Sequence, residues 1–216
     1  MKKSPLYLSL LCLFSVVVAG TCGACAGHMM NPEHLRDPEA QFQGSVLVTA
    51  ACFGDEPTWY GSGVIVSKDR VLTDEHVVKC PLGLTPKVWV NPGDGNLEAE
   101  VEVEIVKSDI ARLKMVTADL SGWFVPLSLG PPPPIGETVC WSALSPRPTY
   151  RCGTSNGLNQ GMIMVDGMVE HGNSGSGAYD EKGRLVGLVR ATTMCQNKTF
   201  CVGWITPLKD FQWLIP

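Results

Sequence analysis

The sequence predicts an all-β protein made of two halves, and three observations support this fold class. First, the chain of 216 residues contains 23 glycines and 16 prolines, a turn-rich composition that favours short strands over long helices. Second, residues 97–105 alternate strictly between apolar side chains and glutamates, which is the period-two pattern of a half-buried strand. Third, the run Pro131–Pro134 predicts an extended linker that separates the two halves.

The overall composition excludes several classes of protein. Hydrophobic residues make up 44% of the chain and charged residues 18%, which excludes a disordered polymer. The formal net charge of −4 provides no electrostatic basis for binding nucleic acid or an anionic membrane surface. We therefore expect no nucleic-acid partner, and the length suits one domain of two lobes or at most two small domains.

The N-terminal 26 residues have the pattern of a signal peptide. Lys2 and Lys3 precede the apolar run Leu6–Ala19, and the small residues of Ala24–Ala26 predict cleavage after Ala26. The apolar run is shorter than the ~20 residues that span a bilayer, so we expect no membrane-spanning segment in the mature chain. The chain is therefore predicted to be exported, either secreted or periplasmic.

Two further expectations concern the N-terminal region. Small residues precede Cys22 and Cys25, so lipid anchoring through either cysteine is the alternative to a free mature protein. Residues 27–43 are polar and contain two prolines, which predicts a flexible arm before the folded domain.

Cysteines in the mature chain predict disulfides. An even number in an exported domain is typical of disulfide pairing, and six cysteines allow 15 connectivities. Local symmetry pairs Cys195 with Cys201 and Cys140 with Cys152, which leaves Cys52 with Cys80. Zinc is the alternative ligand, but the mature chain has no Cys-x-x-Cys motif, and we expect no metal site.

Strand signals follow the arm on both sides of the proline linker, and a helical signal ends the chain. The glutamates of residues 97–105 are expected to form a solvated face, because carboxylates in a row on one strand do not converge on one point. Leu208, Phe211, Leu214 and Ile215 have helical spacing, which predicts a short C-terminal helix over 207–216. Further strands are predicted at 45–53, 64–66, 71–73, 87–90, 137–144, 161–165 and 184–189.

One histidine, one acid and one serine stand in contexts that favour acyl-transfer chemistry. His76 ends a strand, Asp109 is embedded in apolar sequence, and Ser174 lies in a glycine-rich turn. A serine hydroxyl becomes a good nucleophile when an imidazole accepts its proton, and a carboxylate fixes the tautomer of that imidazole. Glycines around the serine allow the N–H groups of Gly172 and Ser174 to converge on an oxyanion.

The order of these residues along the chain discriminates among folds. No histidine follows Ser174, which excludes the α/β-hydrolase order of serine, acid and histidine. The subtilisin order is formally open through Asp55 or Asp69, but that fold needs long helices that the sequence lacks. Two further alternatives are a cysteine nucleophile at Cys140 with His171 as its base, and Ser176 in place of Ser174.

At these residues the sequence resembles the trypsin-like, chymotrypsin-fold serine peptidases, and is most similar to exported bacterial members. The likeness covers about residues 44–215 and is carried by the segments Gly61–Val66, Leu72–Val78, Asp109–Leu113, Pro134–Val139 and Gly172–Ser176. It implies two six-stranded antiparallel β-barrels, the first at about 44–130 and the second at about 135–206. It also implies His76 as general base, Asp109 as its orienting acid and Ser174 as nucleophile, with Gly172 and Ser174 forming the oxyanion hole.

Departures from the family pattern bear on specificity and on the base. The same likeness places Met168, His171 and Arg190 at the substrate-specificity pocket, and a methionine there argues against a preference for lysine or arginine. Asp74 and Glu75 precede His76, where the family usually has small residues. These acids either raise the pKa of the histidine or face solvent.

The sequence therefore predicts an exported serine endopeptidase that acts on a protein or peptide substrate and needs no cofactor. The first alternative is a catalytically silent, peptidase-like binding module. The second is a disulfide-bonded β-domain unrelated to peptidases, with a serine turn that arose by coincidence.

Overall fold

The computed structural model describes residues 44–93, 95–124, 127–144, 147–196 and 200–216, without the side chains of 191–200. The predicted signal peptide and the predicted arm at 27–43 lie outside the described residues. Within the part of the chain that is described, no helix is long and apolar enough to cross a membrane.

The first half of the domain is a closed six-stranded antiparallel barrel. Its strands follow the order β1-β2-β3-β6-β5-β4 around the barrel. Strand β5 has the bounds that the alternating pattern predicts, with all four glutamates on the exposed face. The strands are β1 Ser45–Ala51, β2 Trp59–Ser67, β3 Arg70–Thr73, β4 Lys87–Asn91, β5 Leu97–Ile105 and β6 Ile110–Met115, and α1, Glu75–Val78, the one α-helix among the described residues, follows β3.

The second half is another closed six-stranded antiparallel barrel, in the order β10-β11-β12-β9-β8-β7. The prediction of two six-stranded barrels is therefore confirmed. The strands are β7 Thr138–Ala143, β8 Thr149–Asn159, β9 Met162–Asp166, β10 Gly177–Asp180, β11 Leu185–Gln196 and β12 Phe200–Pro207.

Each barrel has its own apolar core, and a third cluster joins the two barrels. Val64, Leu72 and Ile110 from the first barrel pack with Leu185 and Leu188 from the second, all fully buried. Burying apolar surface contributes about 25 cal/mol per Å², so this cluster holds the barrels in a fixed relation. The site described below depends on that relation, because its residues come from both barrels.

Disulfides close two of the connections near the barrel edges. Cys52, just after β1, is bonded to Cys80, just after α1. Cys140 on β7 is bonded to Cys152 on β8, and both pairs are those that the sequence analysis proposed. Cys195 and Cys201 are register partners on β11 and β12, and Cys201 is disulfide-bonded, whereas the Cys195 side chain lies outside the described residues.

The C-terminal segment differs from the predicted helix over 207–216. Strand β12 continues to Pro207, and the only helical turn after it is the 3-10 turn Gln212–Leu214. Phe211 interrupts the segment with a φ of −121° and a ψ of 25°. Leu208 and Leu214 are nevertheless fully buried in the cluster between the barrels, so the apolar spacing reflects packing rather than a helix.

Candidate active site

His76 lies in α1, a single turn of helix that projects from the end of β3 into the cleft between the barrels. Its neighbours Val77 and Val78 are buried in the core of the first barrel. The disulfide from Cys80 to Cys52 ties the end of this turn to β1. The His76 side chain itself is 45% exposed, so it is anchored by its backbone while its ring stays accessible.

Asp109 fills the turn between β5 and β6 in a left-handed backbone conformation, with a φ of 55°. Aspartate tolerates this region better than most residues, and the turn directs the carboxylate toward His76. One oxygen, Oδ2, lies 2.8 Å from His76 Nδ1, and the other accepts the His76 backbone N–H at 2.9 Å. The carboxylate therefore fixes both the ring and the backbone of the histidine.

Asp109 is held as a carboxylate by these contacts. Burial alone raises the pKa of Asp109, but hydrogen bonds from the His76 ring and backbone, together with the charges of His76 and Arg190, outweigh burial. The pKa of Asp109 therefore lies below its ordinary value.

Ser174 lies in the turn that leads into β10, and its hydroxyl completes a chain of three polar side chains. Ser174 Oγ is 2.9 Å from His76 Nε2. The turn is pinned to β11, because the Gly175 N–H donates to the Val189 carbonyl at 2.9 Å and the Val189 N–H donates to the Ser176 carbonyl at 2.8 Å. The structure thus brings His76, Asp109 and Ser174 together from both barrels.

The two residues expected to form an oxyanion hole lie in the same turn. Gly172 adopts a φ of 93°, a conformation that is readily accessible only to glycine. Asn173 stabilises the turn from inside: its Oδ1 accepts the Glu170 N–H at 3.1 Å, and its carbonyl accepts the Ser176 hydroxyl at 2.7 Å. The Ser176 hydroxyl is therefore engaged within the turn rather than with a histidine.

Sequence reasoning missed Ser62 as a residue that supports the site. Its N–H donates to the Ser174 carbonyl at 2.7 Å, and its hydroxyl donates to the Gly172 carbonyl at 2.8 Å. The same hydroxyl accepts the Leu144 N–H at 3.2 Å. Ser62 thus ties the turn of the second barrel to β2 of the first, and the only signal for this role was its position inside the Gly61–Val66 motif.

We expect Ser62→Ala to lower the free energy of unfolding by about 1–3 kcal/mol, because it leaves buried partners unpaired. Ser142→Ala is a matched control, because its hydroxyl makes a buried 2.5 Å hydrogen bond to Ser45 between the barrels. Urea unfolding of both variants measures the loss. Hydrogen exchange should show faster exchange of the 172–176 amides in Ser62→Ala only; equal exchange in the two variants would contradict this role.

Asp74 brings a second carboxylate close to His76. Its side chain is fully buried, and Oδ2 lies 4.0 Å from His76 Nδ1. Burial and the charge of Asp109 raise the pKa of Asp74 well above its ordinary value, against the opposing effects of the Gly175 amide and Arg190. Of the two interpretations that the sequence left open for this acid, exposure to solvent is therefore wrong.

Asp74, His76 and Asp109 also present ligand-type atoms within 4.8 Å of one another. However, the 2.8 Å between His76 Nδ1 and Asp109 Oδ2 is the distance of a hydrogen bond with a proton between the two atoms. Arg190 in addition contacts the same Asp109 oxygen at 2.9 Å, and its positive charge opposes a bound cation. This geometry favours a hydrogen bond that orients the His76 ring over metal binding.

The three residues expected at the specificity pocket have different surroundings in the structure. The Arg190 guanidinium forms an ion pair with the Asp109 carboxylate, with Nε 2.9 Å from Oδ2. Met168 is 46% exposed and is not among the residues that line the cleft beside Ser174. His171 lines that cleft, a cavity of about 460 Å³ shared with the exposed aromatic side chains Trp59 and Tyr60.

Two closed antiparallel barrels with a histidine, an acid and a serine in the cleft between them define the double-barrel class of chymotrypsin-like proteins. The profile of the trypsin-like peptidase domain matches residues 61–188. The chain belongs to this family, which confirms the resemblance found in the sequence.

Individual curated relatives share about 30% of their aligned residues with this chain or fewer. The chain is 30% identical over 152 residues to the serine endoprotease DegS of Haemophilus influenzae, covering 64% of this chain and 42% of that protein. It is 28% identical over 162 residues to a probable serine protease do-like of Buchnera aphidicola, covering 68% of this chain and 33% of that protein. The chain thus spans less than half the length of these curated relatives.

Solved structures share the fold. The active form of the Rv3671c protease of Mycobacterium tuberculosis superposes with a TM-score of 0.64 at 19% identity, covering 86% of both chains. A serine endoprotease of Yersinia pestis gives a TM-score of 0.64 at 22% identity, covering 80% of this chain and 63% of that one.

Proposed function

We propose that the chain is an exported serine endopeptidase in which Ser174 is the nucleophile, His76 the general base and Asp109 the orienting acid. The observation that carries this proposal is the chain of contacts from Ser174 Oγ through His76 Nε2 at 2.9 Å to Asp109 at 2.8 Å. A base within hydrogen-bond distance of the nucleophile, itself oriented by a third group, is the arrangement that acyl transfer requires.

The reaction proceeds in two halves. Ser174 Oγ attacks the carbonyl carbon of the scissile peptide bond while its proton passes to His76 Nε2. The carbon–nitrogen bond then breaks, and His76 returns the proton to the leaving amine. Water attacks the resulting ester with the same proton transfers, which releases the acid product and restores Ser174.

Two charges develop during this reaction, one on the His76 ring and one on the oxyanion, and different groups stabilise them. Asp109 is ionised and stabilises the imidazolium that forms on His76. The N–H groups of Gly172 and Ser174 are the donors for the oxyanion, each worth about 3–4 kcal/mol in the transition state. The left-handed conformation of Gly172 and the Ser62 hydrogen bond to its carbonyl support this assignment.

A fluorophosphonate probe tests the proposal directly, because it forms a stable bond to an activated serine with loss of fluoride. We expect one adduct by intact mass on the parent protein and none on Ser174→Ala. Ser176→Ala is the matched control and should still be labelled, since the Ser176 hydroxyl bonds to the Asn173 carbonyl. A folded, disulfide-intact parent that forms no adduct would instead favour the silent, peptidase-like binding module.

Export rests on separate observations. The leader pattern of residues 1–26 and the disulfides Cys52–Cys80 and Cys140–Cys152 are typical of an oxidising compartment. One relative of Buchnera aphidicola is named a probable periplasmic serine endoprotease. The same intact-mass spectra, taken on protein recovered outside the cytoplasm, distinguish a chain cut after Ala26 from one acylated at Cys22 or Cys25.

A further inference from the structure

Inward of His76 lie two carboxylates and one guanidinium, of which the proposed triad uses only Asp109. Asp74 is fully buried and Asp109 is 4% exposed, and their oxygens lie within 4.8 Å of each other. Arg190 reaches this group from β11, with its Nε 2.9 Å from Asp109 Oδ2. Asp109 is therefore held between a cation and a second acid.

Asp74 has the surroundings of an acid without compensating partners. Neither oxygen has a hydrogen-bond partner of good geometry among the described residues. The Gly175 N–H faces the carboxylate but donates to the Val189 carbonyl at 2.9 Å. Asp74 also precedes α1 without capping it, so its carboxylate does not serve the helix.

The charged groups that face Asp74 come from three elements. They are Asp109 from the turn between β5 and β6, His76 from α1, and Arg190 from β11. Glu75, the next residue along the chain, pairs instead with Lys79 at 2.9 Å. The positive charge of one guanidinium therefore acts on two buried carboxyl groups.

The balance of charge decides where a proton resides. Two buried anions close together repel, and the pair lowers its free energy by keeping one proton. Asp109 has the ion pair and two hydrogen bonds to His76, whereas Asp74 has none of these. The proton therefore belongs on Asp74, in agreement with the raised pKa of Asp74 and the lowered pKa of Asp109.

Resting on the proposed function, we propose that Arg190 is a positioning residue that keeps Asp109 ionised: its ion pair with Asp109 places the one proton of the carboxylate pair on Asp74. Without Arg190, the two carboxylates compete for that proton on more equal terms. Asp109 is then protonated in part of the molecules, and a neutral Asp109 does not stabilise the imidazolium of His76.

The first test is the pH dependence of the second-order rate constant for fluorophosphonate labelling. Arg190→Gln should shift the acidic limb of this profile to higher pH by about one unit or more, which lowers the rate about tenfold on that limb. Arg190→Lys keeps the charge and should leave the limb near its wild-type position. Arg70→Gln is the matched control, because Arg70 pairs with Asp69 and Glu102 on the first barrel, and it should leave the profile unchanged.

The second test is rescue. In Asp74→Asn/Arg190→Gln only one carboxylate remains, so Asp109 ionises without competition and the acidic limb should return toward its wild-type position. A purely structural role for Arg190 predicts a lower rate at every pH and no rescue. A uniformly lower rate without rescue would overturn the proposal. An acidic limb of Arg190→Gln at the same pH as that of the wild type would also overturn it.

The third test does not depend on catalysis. Because the folded protein holds a proton on Asp74 that the unfolded chain has lost, wild-type stability should fall relative to Asp74→Asn as the pH rises above the ordinary carboxyl pKa of about 4. Identical pH dependence of urea unfolding in the two proteins would overturn the proton on Asp74. A wild type that shows the stability difference but never reacts with the probe would refute the proposed function and leave the protonated Asp74 standing.

Discussion

Asp109→Asn is expected to lower kcat/KM on a peptide substrate by about four orders of magnitude, the size of effect that a wrong histidine tautomer produces. In the wild type, one Asp109 oxygen accepts the His76 backbone N–H and the other faces both His76 Nδ1 and Arg190. An asparagine that keeps the backbone hydrogen bond directs its NH₂ group at the other two partners. His76 Nδ1 must then accept a hydrogen bond from that NH₂ group, so the ring proton lies on Nε2, which can no longer take the proton of Ser174.

Asp119→Asn is the matched control for this substitution. Asp119 lies in an exposed turn where its carboxylate accepts the Ser121 N–H at 2.8 Å, away from the cleft. It should retain wild-type kcat/KM. A loss of less than about tenfold in Asp109→Asn would contradict the role of Asp109 as the orienting acid.

Gly175→Ala is expected to destabilise the fold by about 2–5 kcal/mol, the sum of a left-handed backbone and an overpacked site. Gly175 has a φ of 84°, and a Cβ there would overlap the Ser62 carbonyl oxygen and the Thr73 hydroxyl, with the Asp74 nitrogen 2.9 Å away. These neighbours cannot easily move, because the Thr73 hydroxyl donates to the Ser62 carbonyl and the Ser62 N–H donates to the Ser174 carbonyl.

Gly183→Ala separates the two contributions. Gly183 has a φ of 72° but no atom within 4 Å of an added Cβ, so only the backbone cost of about 1–2 kcal/mol should remain. Urea unfolding of both variants measures the difference. Equal losses at the two positions would show that the turn beside Ser174 adapts to a side chain, contrary to the packing described.

Local patterns predicted much of the fold. The alternation of residues 97–105 predicted β5 with its observed bounds, because one face of that strand packs inward and the other is exposed to solvent. Strand β8, Thr149–Asn159, was missed, since Ser155 is its only fully buried residue and its polar sequence has no readable period. Pairing with β7 and β9 makes this segment a strand, and a pairing of that kind depends on distant parts of the chain.

The sequence by itself determined the class of fold, the family and the three residues that meet in the cleft. It did so because residue types, glycine-rich turns and the order of residues along the chain can be read without coordinates. Only the tertiary structure decided the environment of those residues: the Ser62 link between the barrels, the burial of Asp74, and the contact of Arg190 with Asp109. Electrostatic coupling depends on distance and desolvation between side chains that are far apart in the chain, and barrel closure sets both.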